Sequence, residues 1–435
     1  MTPTVVKAAD AAQFLSFLPR MLGYHPSQSL VVIPFHGARS LGAMRFDLPG
    51  GDEDAVDRVA ATVTGMVCRL AEADAVAAIA YTGAKFSDEE RMPHHDLLTA
   101  LERRADACGL RVTDLLCVAA DGWGSVFDAG CPAAGRPLGD LEWIGAGDIP
   151  EPDGDQATGA ELPGCSAEER VRVAQAMTAL DTAIAVLCGP PAGGGTAEGA
   201  ARSARTECKD GITGEARGGG APPDGAGRGD GTSDLGPVPA PVSGVAEDEA
   251  SVTDEAARVD PRALAAVCRF DDLPGFFEDA LARPVDAADP YDVAALVWCL
   301  ARPSLRDVAL VQWSGNLAQG DEALDAQLRW ESGEEYPPHL AMRMWGEGDS
   351  PQVSRLETAL ELARHTAAAA PRDARPGSLA MCAWLSWALG RSTHAAAYAE
   401  RACEIEPEHG LSQIVLSFVS AGHLPDWAFQ RAGAR

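Results

Sequence analysis

Tyr24-His25-Pro26, followed by Ser29, is the tightest grouping of chemically capable residues in the chain, and Asp47 follows in a Phe46-Asp47-Leu48-Pro49 element. An imidazole can accept a proton from a hydroxyl, and a carboxylate can orient the imidazole. On that reading His25 is a general base or ligand-binding donor at a strand mouth. Ser29 is its partner, and Asp47 orients it if a hairpin brings the two together. The same residues also read as a helix stop. Gly23 would cap a helix, His25 and Ser27 would satisfy free backbone groups, and Pro26 would block continuation. No G-x-S-x-G elbow supports a hydrolase of that class.

Other candidates point away from cofactors and metals. His94 and His95 are adjacent, so on a helix they face different sides and share a metal poorly; a solvated helix start at His94-His95-Asp96 is expected. Asp52-Glu53-Asp54 and Asp57 lack the alternating ligands and distal Glu of a calcium loop and instead suit a helix N-terminus. The only lysines are Lys7, Lys85 and Lys209, and none sits in a phosphate-binding G-x-x-x-x-G-K-[ST] loop. No metal and no cofactor are expected. Trp384 and Trp387, one helical turn apart, could anchor a partner helix or fill a core.

These residues must be positioned by a chain of 435 residues with a hydrophobic fraction of 46% and a formal charge of −29. That charge argues against nucleic acid and anionic membranes as partners, and Arg103, Arg104 and Arg111 are too small a cluster to change this. The 11 cysteines are odd in number and form no C-x-x-C pair, so reduced thiols in the cytoplasm are expected rather than a disulfide framework. No signal peptide and no uninterrupted apolar run long enough to span a membrane is read.

Three regions follow. Residues 1–188 alternate helix and strand signals in the order helix, hairpin, helix, strand, helix, hairpin, helix, which predicts an α/β domain with a mixed sheet. The first helix starts at an Asp10 N-cap, Leu30 to Phe35 is a buried strand, and Asp121-Gly122 turns a second hairpin. Residues 189–258 are a Gly/Pro/Asp-rich linker with too little apolar surface to fold. The acidic runs around Asp148 to Asp155 and Glu247 to Glu255 read as solvated edges. Residues 259–435 read as all-helical.

Residues 376–409 resemble one tetratricopeptide repeat, a helical hairpin, on Ala383, Gly390, Ala395, Ala402, Ile405 and Pro407. The small residues let two antiparallel helices approach closely, and such hairpins bury their faces by stacking on neighbours. Leu22-Gly23-Tyr24-His25-Pro26-Ser27-Gln28-Ser29-Leu30-Val31-Val32, with Phe46-Asp47-Leu48-Pro49 and the Trp-rich stretch Ala383 to Ala388, resembles an uncharacterised actinobacterial domain-of-unknown-function family. That resemblance implies no activity. The family's paired cysteines after a Trp-Ser element are here a single Cys131 in Gly130-Cys131-Pro132.

The leading functional expectation is an interaction or regulatory module that presents a helical groove to a protein or peptide. The alternative is an enzyme or small-molecule-binding protein with a pocket near His25, Ser29 and Asp47. Whether the chain is an enzyme, and its oligomeric state, stay open.

Overall fold

The computed structural model describes residues 8–142, 149–189 and 259–429. The linker reading, beyond Gly189, and the acidic run Glu247 to Glu255 lie outside the described residues.

The first unit is an α/β domain with a mixed sheet. Helix α1 (Ala11–Leu22) starts on the Asp10 carboxylate, which accepts from the Gln13 N–H at 2.9 Å, and ends at Gly23 in the left-handed conformation, φ +83°. A cap of this kind is worth about 1 kcal/mol. Strands β1 (Ser29–His36), β2 (Arg39–Ser40) and β3 (Met44–Asp47) follow, then α2 (Glu53–Cys68) and β4 (Ala75–Tyr81). Next come α3 (His95–Ala107), β5 (Arg111–Val118) and β6 (Trp123–Ser125). The strand order is β2-β1-β4-β5-β6, with β3 also paired to β1. Only β4 and β5 run parallel, as the α3 crossover between them requires.

Leu30 and Val32 pack towards α2 and α3, whereas Val31 and Ile33 pack towards α1. Burial on both faces explains why β1 reads as a continuous apolar run instead of an alternating one. Asp52 caps α2 by accepting from the Ala55 N–H at 2.8 Å, so the Asp52-Glu53-Asp54 acids do serve a helix terminus.

The second unit is all-helical. It comprises α5 (Pro261–Cys268), α6 (Leu273–Ala282), α7 (Pro290–Leu300), α8 (Pro303–Ser314), α9 (Leu317–Glu331), α10 (Pro338–Met344), α11 (Val353–Ala369), α12 (Pro376–Ala388), α13 (Ser392–Cys403) and α14 (Gly410–Ser420). From α11 onward each helix packs on the next, and α12 also touches α14. Helices α12 and α13 are the hairpin expected over 376–409, turning at Gly390 with φ +75°.

One helix changes company. Helix α4 (Ala167–Cys188), grouped with the first region in the sequence, packs on α5, α7 and α11. Its buried stripe is Val173, Ala176, Leu180 and Ala183, met in part by Val293, Val297, Ala369 and Ala370. The physical reason is the segment before it, which leaves the sheet and crosses to the helices. By length and composition α4 could span a membrane. A helix packed on a core passes the same test, and its apolar run is interrupted by Thr178, Asp181 and Thr182.

Candidate functional site

Ser29 and Asp47 are register partners on β1 and β3, so the hairpin brings them together as expected. What joins them is Arg45. Its Nε donates to the Ser29 hydroxyl at 2.8 Å, Nη1 donates to the Thr393 hydroxyl at 2.8 Å, and Nη2 pairs with the Asp47 carboxylate. Ser29 is fully buried and donates its own proton to the Ser27 carbonyl at 2.6 Å. Asp47 is 82% exposed. The Tyr24 hydroxyl also lies within the field of Arg45; burial raises its pKa and the guanidinium opposes that rise.

His25 is exposed, and none of the described hydrogen bonds uses its ring. The structure therefore couples Ser29 and Asp47 through a guanidinium and leaves the imidazole outside. Thr393 belongs to α13, so the hydroxyl of Ser29 is part of a bridge between the sheet and the helical unit.

The backbone of residues 23–27 has a different occupation. The His25 N–H donates to the Gly154 carbonyl at 2.9 Å, and the Asp153 N–H donates to the Gly23 carbonyl at 3.2 Å. The Gln156 side chain completes a short ladder, accepting from the Ser27 N–H at 3.0 Å and donating to the Ser27 carbonyl at 2.9 Å. Residues 149–166 thus form a strap pinned at one end to the Gly23–Ser27 turn. Gly154 has φ +58°, and a Cβ there would lie 1.9 Å from the Thr158 hydroxyl, so this turn needs glycine.

The other end of the strap is held by α11 and α13. The Arg401 guanidinium on α13 donates to the Ala160 carbonyl at 2.8 Å, and Arg364 on α11 donates to the Glu161 carbonyl at 2.5 Å. Ala160 is 2% exposed, and Leu162 packs on the helical core. The Glu161 carboxylate accepts from the Gly159 N–H at 3.0 Å. Its pKa is held below the usual range by hydrogen bonds from its own N–H and that of Gly159, aided by Arg401 and His394.

Beneath the strap two polar atoms have no partner. They are the Arg364 Nε and the Tyr398 hydroxyl, both buried without a hydrogen bond. Burial raises the pKa of the Tyr398 phenol to about 12, and Cys382, Arg364, Arg401 and Glu161 all act on it. Among the described residues neither Arg364 nor Arg401 forms an ion pair with a carboxylate. A buried donor without a partner typically costs about 1–3 kcal/mol.

Trp384 and Trp387 sit inside this unit and not on its surface. Both are completely buried, and their indole N–H groups donate to the Met344 and His423 carbonyls at 2.9 and 2.7 Å. Trp387 packs against Phe418, His423 and Trp427. Neither ring is left for a partner helix, so of the two sequence readings the core-packing one describes them.

The open end of the parallel strands holds two residues whose backbone role the sequence did not reveal. Gln28 and His94 are non-glycine residues with positive φ, +47° and +58°. The Gln28 amide oxygen accepts from the Gly83 N–H at 2.7 Å, and the His94 Nε2 lies 3.2 Å from the Thr82 hydroxyl. His94 is half-buried, not the solvated residue expected, and burial lowers its pKa. Both strained residues fasten the loop after β4. Among the described residues no group of three or more His, Cys, Asp or Glu side chains could hold a metal ion.

A family model described as a domain of unknown function, DUF4192, matches residues 12–426. Neither the curated proteins nor the solved structures provide a match.

Proposed function

The chain belongs to the DUF4192 family, a domain of unknown function, over almost its whole length, and from that premise we propose that it is an interaction module whose helical unit holds an extended peptide in a groove across α11, α12 and α13. One observation carries the reading. A turn and the irregular chain after it already lie against these helices, and two consecutive main-chain carbonyls, of Ala160 and Glu161, each accept from an arginine on a different helix. Recognition through main-chain carbonyls gives affinity for an extended backbone, and pockets for alternate side chains give specificity.

A display library of short peptides tests the reading. The baits are the full-length chain and its Glu161→Arg/Leu162→Ser variant, each counter-screened against Arg364→Met/Arg401→Met. Peptides enriched on either bait and lost with the arginines support it. No arginine-dependent enrichment on both baits overturns it.

A further inference from the structure

The strap is an incomplete occupant of this groove. It hydrogen-bonds Arg364 and Arg401 through carbonyl oxygens, and among the described residues no carboxylate comes within ion-pair distance of either guanidinium, although the Glu161 carboxylate feels the Arg401 charge. The Arg364 Nε and the Tyr398 hydroxyl stay buried and unsatisfied beneath it. Tyr398 itself has no exposed surface, so water does not reach it from outside. Within residues 158–162 Ala160 is buried and Leu162 packs on the helical core, and the Glu161 carboxylate accepts from the Gly159 N–H. The chain as a whole carries a formal charge of −29, which makes two guanidiniums without a contacting carboxylate a local exception.

We propose that residues 158–162 are a displaceable cis-occupant, and that the groove's partner is an acidic extended peptide whose carboxylate reaches Arg364 and Arg401. The proposal rests on the groove reading above and adds the partner's chemistry and its control. A carboxylate can accept from both guanidiniums in bidentate fashion, which carbonyls cannot match, and charge-assisted bonds of this kind are roughly twice as strong as neutral ones. The strap competes because it is tethered. Its sheet end is pinned at Gly23 to Ser27, so its groove end is presented at an effective concentration in the ~mM range. A partner therefore binds with an affinity reduced by the fraction of time the groove is open.

The test uses fluorescence anisotropy with labelled peptide Ala-Thr-Gly-Ala-Glu-Leu-Pro-Gly, the sequence of residues 157–164, and a second peptide bearing one additional C-terminal Asp. Both are titrated with the full-length chain, with Glu161→Arg/Leu162→Ser, and with that variant carrying Arg364→Met/Arg401→Met. The expected result is at least about tenfold tighter binding to the strap variant than to the unaltered chain, the Asp peptide being the tighter of the two, and loss of both without the arginines. Equal, arginine-dependent binding to the unaltered chain and the strap variant overturns cis-occupancy while the groove reading stands. Absent or arginine-independent binding overturns both. Should the strap variant fail to fold, hydrogen exchange of the unaltered chain with saturating Asp peptide decides. Strap amides 157–162 must then exchange faster, and unchanged protection overturns the proposal.

Discussion

Lowering the pH should unlatch the last helix through His409. This residue is the N-cap of α14; its Nδ1 lies 3.0 Å from the Ser412 hydroxyl and accepts from the Ser412 N–H at 3.4 Å. It is 6% exposed. Burial first, and the neighbouring Arg306 guanidinium second, push the imidazole pKa from 6.5 down to about 4, against a smaller opposing effect of its own backbone. The folded ring thus stays neutral where the unfolded ring takes a proton. Stability is complete above the unfolded value of 6.5 and declines as the pH falls towards 4. A shift of this size costs about 2 kcal/mol between pH 7.5 and pH 5, a large part of an ordinary domain's ~5–15 kcal/mol. Protonation also removes the Nδ1 acceptor, so the cap fails in the same step. His409→Asn keeps a capping oxygen and cannot titrate. Urea unfolding followed by tryptophan fluorescence at pH 7.5 and 5 should show the unaltered chain losing about 2 kcal/mol more than the variant. Parallel losses in the two proteins would refute the reasoning.

Three further outcomes follow from the packing. Trp387→Ala should cost about 3–5 kcal/mol in chemical denaturation, because it empties the centre of the Trp384, Phe418 and Trp427 cluster; a loss under ~0.5 kcal/mol would mean a surface residue. Gly377→Ala places a Cβ 2.1 Å from the Leu300 carbonyl oxygen, a backbone atom of α7, so α12 must shift, and a loss of about 2 kcal/mol or more is expected in the same assay. Arg45→Met removes the donors to Ser29 and Thr393 and should lower stability by about 1–3 kcal/mol, the exposed Asp47 pair adding little. Its signature is faster hydrogen exchange at the start of α13; unchanged exchange there would show that the bridge does not couple the units.

The elements were legible where a residue's role is local. Asp10 and Asp52 cap the helices they precede, Gly23 and Gly390 take positive φ where a helix must stop or turn, and the β1 run is buried on both faces. Helix α4 was not legible as part of the helical unit. Its exposed surface includes Val171, Val186 and Leu187, so no single apolar stripe announces which neighbour it meets. The site failed to read for a sharper reason. Arg364 and Arg401 lie 203 and 241 residues from the strap carbonyls they hold, and a carbonyl carries no side-chain identity. Likewise nothing in the letters Gln28 or His94 reveals a left-handed backbone.

The most motif-like stretch of the chain, Gly23 to Ser29, drew attention as a catalytic constellation because His, Ser and Asp are the residues of proton transfer. Its structural use is main-chain recognition at residues 23–27 and one buried hydroxyl under Arg45. The two uses demand different things of His25. A general base needs its ring held against a partner, whereas a strap anchor needs only the residue's N–H, with Pro26 keeping the following turn extended. The strap then makes the two units interdependent. Its first half is bonded to the sheet's turn, and its second half is held by arginines of the helices. Thr393 on α13 is tied to the same turn through Arg45 and Ser29. If a partner displaces the groove end as proposed, the sheet end stays attached, so rebinding of the strap is an intramolecular step.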